Sequence, residues 1–120
     1  MVGPMELQAF AMHHSVPTFG VRAEANGRLL AYSADTGPCE ALVELGQGTD
    51  VLVVEAGASE PVEFHCTPEE VAHATATSAP RQVVLTRLAP GLDGDGAITR
   101  FGAVNARAAA IASMGLRVEL

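Results

Sequence analysis

Apolar and polar positions near the start of the chain follow a pattern typical of β-strands. Met5 to Met12 is apolar with few breaks, and Thr18 to Ala25 alternates with a period of two. Asn26-Gly27 is a strong signal for a two-residue hairpin turn, so Arg28 to Ser33 is expected to be the antiparallel partner strand. The N-terminal part is therefore predicted to form three strands that include a β-hairpin.

Further strands are predicted after the hairpin. Asp50 to Glu55 and Gln82 to Thr86 are short continuous apolar runs, typical of strands buried on both faces. Leu116 to Leu120 is predicted to be a last strand. Because helix-like stretches separate these runs, we expect an α/β fold, with a mixed sheet and helices packed on it. A chain of 120 residues supports one domain, spanning residues 1–120.

Three helices are predicted between and after the buried strands. The run Glu40 to Leu45 is expected to be helical, with Asp35 or Thr36 as its cap. Thr67 precedes Pro-Glu-Glu, which is typical of a helix start with a capping residue and a proline in the first turn. The alanine-rich stretch from Phe101 to Met114 is predicted to be the third helix.

Composition narrows the function classes. The chain has 48% hydrophobic and 18% charged residues, which indicates a globular protein, and a net charge of −7. All of its basic residues are arginines, and they are scattered along the chain. It therefore lacks the cluster of positive charge that strong nucleic-acid binding by this chain alone would need. Two cysteines do not make a disulfide framework, and no run is long enough to span a membrane. A cytoplasmic location is expected.

Four side chains that can carry chemistry lie at or after predicted strand ends. They are Asp35, Glu55, His65 and Arg87. In α/β sheets the carboxyl ends of the strands meet at one edge, where ligand sites usually form. A carboxylate can bind a metal ion, a histidine can deliver a proton, and a glutamate can orient that histidine. The sequence therefore predicts a site at this edge.

Short motifs in a fixed order resemble those of the metallo-β-lactamase superfamily, especially its ribonuclease Z-like and related phosphodiesterase branch. The motifs are the stretch from His14 to Gly20, the stretch Asp35-Thr-Gly-Pro-Cys39, the pair Glu55-Ala56, the segment His65-Cys-Thr67 and the segment Leu85-Thr-Arg87. Together they run through most of the chain. The resemblance implies half of an αββα sandwich, corresponding to the C-terminal half of a hydrolase.

The same resemblance implies roles for individual residues. The residue at the position of Asp35 bridges two metal ions in that branch, zinc or manganese being the expected cofactors. His65 matches a histidine thought to protonate the leaving group, and Glu55 matches the glutamate that supports it. His14 belongs to the segment before the hairpin. Arg87 stands where the family has a late histidine ligand.

Two departures from the family pattern change the expectation. The His-x-His-x-Asp-His motif is absent, and Arg87 is always cationic and does not bind metals. Of the expected ligands only Asp35 remains, whereas four-coordinate zinc needs three or four protein ligands. We therefore predict a degenerate metal site without bound metal, in which a salt bridge between Asp35 and Arg87 replaces the metal charge.

Simpler roles compete for the same side chains. Asp35 could be a helix cap, Glu55 could pair with an arginine, and His65 could bond to the backbone. Two functions stay open. The first is a fragment without independent metal-dependent hydrolase activity that acts as a homodimer or binds a complementary N-terminal half. The alternative is a metal-dependent hydrolase of phosphodiester or ester bonds, completed by a partner with the missing histidine motif. A piece with no function of its own is a third possibility.

Overall fold

The computed structural model describes residues 4–120, and in this part of the chain six strands form one mixed sheet that carries three helices. The strands are β1 (Glu6–Ala11), β2 (Phe19–Ala25), β3 (Arg28–Tyr32), β4 (Val51–Glu55), β5 (Gln82–Thr86) and β6 (Ala109–Ile111). The helices are α1 (Glu40–Gly46), α2 (Pro68–Ser78) and α3 (Gly94–Gly102). The predicted α/β class with a mixed sheet is confirmed.

The strands lie side by side in chain order. β1, β2 and β3 pair antiparallel, whereas β3, β4, β5 and β6 pair parallel. The turn between β2 and β3 has positive φ at both Asn26 (54°) and Gly27 (74°), as the predicted hairpin requires. The parallel pairing points the C-terminal ends of β3, β4 and β5 towards the same edge of the sheet.

All three helices pack on one face of the sheet, and the core lies between them. Its strand side chains are fully or almost fully buried and come from the three central strands; they are Ala31, Leu52, Val54, Val83 and Leu85. Leu42 and Leu45 of α1, Val71 of α2 and Phe101 of α3 meet them from the helix layer. Burial of these apolar side chains is the main source of stability.

The opposite face of β1, β2 and β3, here called the open face, carries exposed apolar side chains. They are Leu7, Phe19, Val21, Leu30 and Tyr32, with Leu7 67% exposed and Phe19 57% exposed. Over β4 and β5 the same face is covered, because Val51 and Val84 are buried. The C-terminal end reaches this side, where the Gln82 side chain donates to the carbonyl of Glu119.

The start of α1 differs from the prediction. The helix begins at Glu40 after Cys39, whose side chain makes no capping bond. Asp35 and Thr36 do not cap it, because both side chains are used elsewhere: the Thr36 hydroxyl accepts from the amide of His13 and donates to the carbonyl of Gly37, and Asp35 pairs with Arg87. The cap prediction was wrong because both side chains bond to groups outside the first turn of α1.

The start of α2 follows the prediction. Thr67 accepts from the amide of Glu70, and the Glu70 carboxylate accepts from the amide of Thr67. This reciprocal capping box, with Pro68 in the first turn, defines the helix start locally.

The C-terminal quarter of the chain differs most from the prediction. α3 ends at Gly102, so only Phe101 and Gly102 of the predicted stretch are helical and residues 103–114 form no helix. The helix starts earlier because the Asp93 side chain accepts from the amide of Gly96. It stops where the buried Asn105 side chain donates to Ala72 and Thr75 of α2. The last strand is β6, which pairs with β5, and residues 116–120 form no strand.

Residues 4–120 contain no helix with the length and apolar character needed to cross a bilayer.

Candidate functional site

Three parallel strands deliver the predicted site residues to one edge. Asp35 lies just after β3, Glu55 ends β4, and Arg87 follows β5. Two of the turns are unusual, since Ala34 and Arg87 have positive φ values of 54° and 64°. Non-glycine residues in this region are uncommon, and each costs on the order of 1 kcal/mol. The sheet therefore brings these side chains together, as the strand order predicted.

Glu55 is fully buried and forms the base of the site. Its carboxylate accepts from the amides of Thr36 (3.1 Å) and Gly57 (2.9 Å) and from the Nδ1 of His65 (2.6 Å). All three partners donate, so the buried carboxylate is well satisfied. The alternative in which Glu55 pairs with an arginine was wrong, because these three donors bind its carboxylate instead.

His65 bonds to Glu55 rather than to a backbone group. Because the carboxylate accepts, Nδ1 carries the proton, and Nε2 is the ring nitrogen left for a ligand. The side chain is 37% exposed. A histidine oriented in this way by a carboxylate can exchange a proton at Nε2.

The predicted contact between Asp35 and Arg87 is present. The Nε of Arg87 lies 3.0 Å from Oδ1 of Asp35, and the two side chains are 55% and 29% exposed respectively. Asp35 is therefore engaged by a guanidinium and is not a helix cap.

His14 lies on the other side of Asp35. Its Nδ1 is 3.2 Å from the carbonyl of Phe64, and its Nε2 is 3.9 Å from Oδ2 of Asp35. Its ring meets that of His65 edge-on, with 5.3 Å between ring centroids. The adjacent His13 has a different partner, since its Nε2 lies 3.2 Å from Oε2 of Glu63.

An open cleft of about 560 Å³ lies beside these side chains. His65 and Arg87 line it together with Glu60, and its apolar wall includes Val62 and Leu88. The cleft therefore combines a guanidinium, an imidazole and an apolar surface, which is typical of a small-molecule site.

Several supporting residues were missed from the sequence. Gly57 lies so close to Arg87 that an added Cβ would be 2.3 Å from the Arg87 carbonyl oxygen. Arg100 of α3 binds both oxygens of Glu69 and the carbonyl of Ser59, and so connects two helices to the cleft wall. Hydrogen bonds from Arg100 lower the pKa of Glu69, and the same bonds raise the pKa of Arg100. No local motif predicts these contacts.

The cysteines lie outside the cleft. Cys66 is buried and Cys39 is half-buried, and both are free. Burial raises the pKa of the Cys66 thiol, and the nearby charge of Glu55 raises it further. A thiol with a raised pKa is a poor nucleophile, so Cys66 is a core residue.

The described residues do not fit a metal centre. Between residues 4 and 120, no three His, Cys, Asp or Glu side chains are placed to hold a metal ion. The Asp35 carboxylate faces a guanidinium, whose charge would repel a cation at the same oxygens. Metal chemistry would need ligands that these residues do not supply.

Comparisons with known proteins bear on family and fold. The family model described as a beta-lactamase superfamily domain matches residues 1–86. The uncharacterized protein ML1173 of Mycobacterium leprae is 32% identical over 94 residues, which cover 74% of this chain and 33% of that protein. Ribonuclease Z of Methanosarcina mazei is 35% identical over 74 residues, covering 57% of this chain and 24% of that enzyme.

A solved structure extends the likeness over nearly the whole fold. The metallo-β-lactamase fold protein YhfI of Bacillus subtilis superposes with a TM-score of 0.88 at 18% identity. The match covers 97% of this chain and 50% of YhfI. The chain thus spans about a third of ML1173 and half of YhfI.

Proposed function

The chain belongs to the metallo-β-lactamase-fold superfamily and is a hydrolase-family domain, and on this premise we propose that it acts as a half-sandwich module. Its open face binds a complementary half of the αββα sandwich. By itself the chain does not catalyse metal-dependent hydrolysis.

The open face carries this proposal. Leu7, Phe19 and Tyr32 are 67%, 57% and 45% exposed on adjacent strands, in a sheet whose other face carries the helices and the core. Contiguous exposed apolar surface favours a binding partner. The occupant we favour is a complementary half with an apolar sheet of its own, because YhfI contains as much chain again beyond the part that matches.

The Asp35–Arg87 ion pair supports the absence of independent metal chemistry. A guanidinium within 3.0 Å supplies positive charge to the carboxylate that the family uses as a metal ligand. Arginine cannot lose this charge near neutral pH and cannot serve as a ligand. The ion pair in the chain is thus an alternative to a bound metal.

Co-expression tests the proposed partner. The chain is produced together with the segment of ML1173 outside the 94-residue match, and complex formation is measured by sedimentation. We expect a one-to-one complex that is lost in a Leu7→Ser/Phe19→Ser variant. Val104→Ser is the matched control, since Val104 is exposed and apolar but follows α3.

Two outcomes contradict this proposal. A homodimer that the Leu7→Ser/Phe19→Ser variant dissociates would make a second copy the occupant of the open face. A well-folded monomer that forms no complex, with the double variant behaving like the parent chain, would mean that the open face binds no partner.

A second function is favoured by the His65–Glu55 pair. The 2.6 Å contact orients His65 beside the cleft, where Nε2 could protonate the leaving group of a phosphodiester or ester. In this alternative, the partner carries the His-x-His-x-Asp-His motif and most ligands for zinc or manganese, and Asp35 adds one.

Hydrolysis of bis(p-nitrophenyl) phosphate by the purified complex tests the alternative. Activity that falls at least a hundredfold in His65→Ala, and that is absent from the isolated chain, would support it. Activity that His65→Ala does not change would exclude His65 as the acid.

A further inference from the structure

We propose that Arg87 and His65 bind the phosphate group of a phosphate monoester in the cleft, without a metal ion. This inference goes beyond the proposed function, because it requires neither a partner nor hydrolysis. It rests on the donors that the two side chains present to one cleft and on the backbone that holds Arg87 in place.

Arg87 has N–H donors that are available to a ligand. Its Nε faces Asp35 at 3.0 Å, and among residues 4–120 its Nη atoms make no hydrogen bond. The side chain is 55% exposed and lines the cleft. A guanidinium presents its N–H groups as a planar fork that matches two oxygens of an anion. The two Nη atoms are therefore available to an oxyanion in the cleft.

The backbone that carries this guanidinium is held in place. Arg87 has a φ of 64°, a conformation that non-glycine residues keep only when their surroundings impose it. Gly57 packs against the Arg87 carbonyl, and the Gly57 carbonyl accepts from the amide of Ala89. These contacts fix the backbone at Arg87 and at Ala89 before a ligand arrives, which lowers the entropic cost of binding.

His65 supplies the second contact. Because Nδ1 is committed to Glu55, Nε2 is the nitrogen that can meet a ligand in the same cleft. A neutral imidazole accepts the O–H of a monoester monoanion, and a protonated imidazole donates to an oxygen of the dianion. Both protonation states therefore fit a phosphate monoester.

The number of terminal oxygens selects the ligand class. A phosphate monoester has three terminal oxygens. Two of them can accept from the N–H groups of the Arg87 guanidinium while the third contacts His65. A carboxylate or a phosphodiester has only two. Val62, Leu88 and Pro90 form an apolar wall that suits the organic group of the ester.

Negative charges nearby weaken the site without abolishing it. Glu60 lines the cleft, and Asp35 offsets part of the Arg87 charge. Glu55 is buried behind His65, where three donors share its charge. We therefore expect weak binding, in the millimolar range.

An NMR titration tests this inference on the full chain. The protein is dialysed against EDTA and titrated with phenyl phosphate, benzoate and methyl phenyl phosphate, which share one aromatic ring. We expect phenyl phosphate to bind at least tenfold more tightly than either of the others and to shift the His65 ring signals. Equal affinity for all three probes, or binding that EDTA abolishes, would overturn the inference.

Arginine variants isolate the contact. Arg87→Gln should weaken phenyl phosphate binding at least tenfold, and Arg87→Lys several-fold, since lysine keeps the charge without the fork. Arg81→Gln is the matched control, because Arg81 precedes β5, pairs with Asp50 and is 66% exposed. A change of less than twofold in Arg87→Gln would refute the role of Arg87.

His65→Ala provides a second, independent variant. It removes a partly exposed imidazole, leaves Glu55 with its two amide donors, and is expected to weaken binding at least fivefold while the circular dichroism spectrum stays unchanged. Unchanged affinity in a folded His65→Ala protein would likewise contradict the proposed site.

Discussion

Asp35 and Arg87 meet across the end of a strand to which neither belongs. Asp35 follows β3 and Arg87 follows β5, and β4 lies between these strands in the sheet. The 3.0 Å ion pair therefore passes over the end of β4, where Glu55 is buried. The pair lies at this edge of the sheet, beside the Glu55 carboxylate that orients His65.

Metal content follows from this contact. We predict that the chain, dialysed at neutral pH, retains far less than one zinc ion per molecule, since Asp35 is engaged by Arg87 and four-coordinate zinc needs more ligands. Elemental analysis of a size-resolved peak checks this. Stoichiometric zinc that disappears in Asp35→Ala would contradict the prediction, whereas zinc retained in Asp35→Ala would indicate binding elsewhere.

Removal of the buried carboxylate should destabilise the fold. Glu55→Ala leaves the amides of Thr36 and Gly57 without their acceptor, and we expect the free energy of unfolding to fall by about 2–4 kcal/mol. Urea unfolding at pH 7 measures this change in the free energy of unfolding. Glu60→Ala is the control, because Glu60 is exposed and its loss should cost less than about 0.5 kcal/mol. Equal effects of the two substitutions would exclude a structural role for Glu55.

The Glu69–Arg100 pair should make stability depend on pH. Hydrogen bonds from Arg100 lower the pKa of Glu69, so the unfolded chain binds this proton more readily than the folded one. The stabilisation is present above the ordinary glutamate pKa of about 4.3 and is lost as the pH falls through the lower folded pKa. Since both side chains are partly exposed, it should not exceed about 1 kcal/mol.

Unfolding curves of the parent chain and Glu69→Gln between pH 3 and 7 measure this effect. The difference in unfolding free energy should be constant above about pH 6 and shrink below about pH 5. Glu60→Gln serves as the control with no such trend. A difference that grows on acidification would have the wrong sign for a lowered pKa.

Gly57 should not tolerate a side chain. An added Cβ would meet the Arg87 carbonyl oxygen at 2.3 Å, so Gly57→Ala must displace the backbone beside the cleft. We expect a loss of about 1–3 kcal/mol in the unfolding free energy. Gly102→Ala, at the end of α3 with open space around it, should be neutral or stabilise by up to about 1 kcal/mol. Thermal denaturation measures the stability of both variants. Equal stabilities of Gly57→Ala and Gly102→Ala would contradict the tight contact at Gly57.

Short-range signals in the sequence correctly predicted much of the fold. The Asn26-Gly27 turn, the apolar runs of β4 and β5 and the Thr67 capping box each depend on residues close in the chain. The pairing of Asp35 with Arg87 was also predicted, from the resemblance that places Arg87 at a late ligand position beside the retained Asp35. Local geometry was sufficient for the turn, the two strands and the capping box.

The alanine-rich C-terminal region shows where local signals fail. High helix propensity predicted a helix from Phe101 to Met114, but Asn105 bonds to α2 and the alanines after it join β5 as an edge strand. The small methyl side chain of alanine prevents neither a helix nor a strand. Contacts with α2 and β5 therefore decided the conformation of these residues.

The sequence by itself determined the order of strands and helices, the hairpin and the start of α2, because each depends on neighbouring residues. Tertiary structure alone decided which backbone amides donate to Glu55, the position of Gly57 beneath Arg87 and which sheet face stays open. These features depend on groups far apart in the chain, whose distances are set only when the strands pair and the helices pack. The contact with Arg87 that keeps Asp35 from capping α1 is also part of the candidate site.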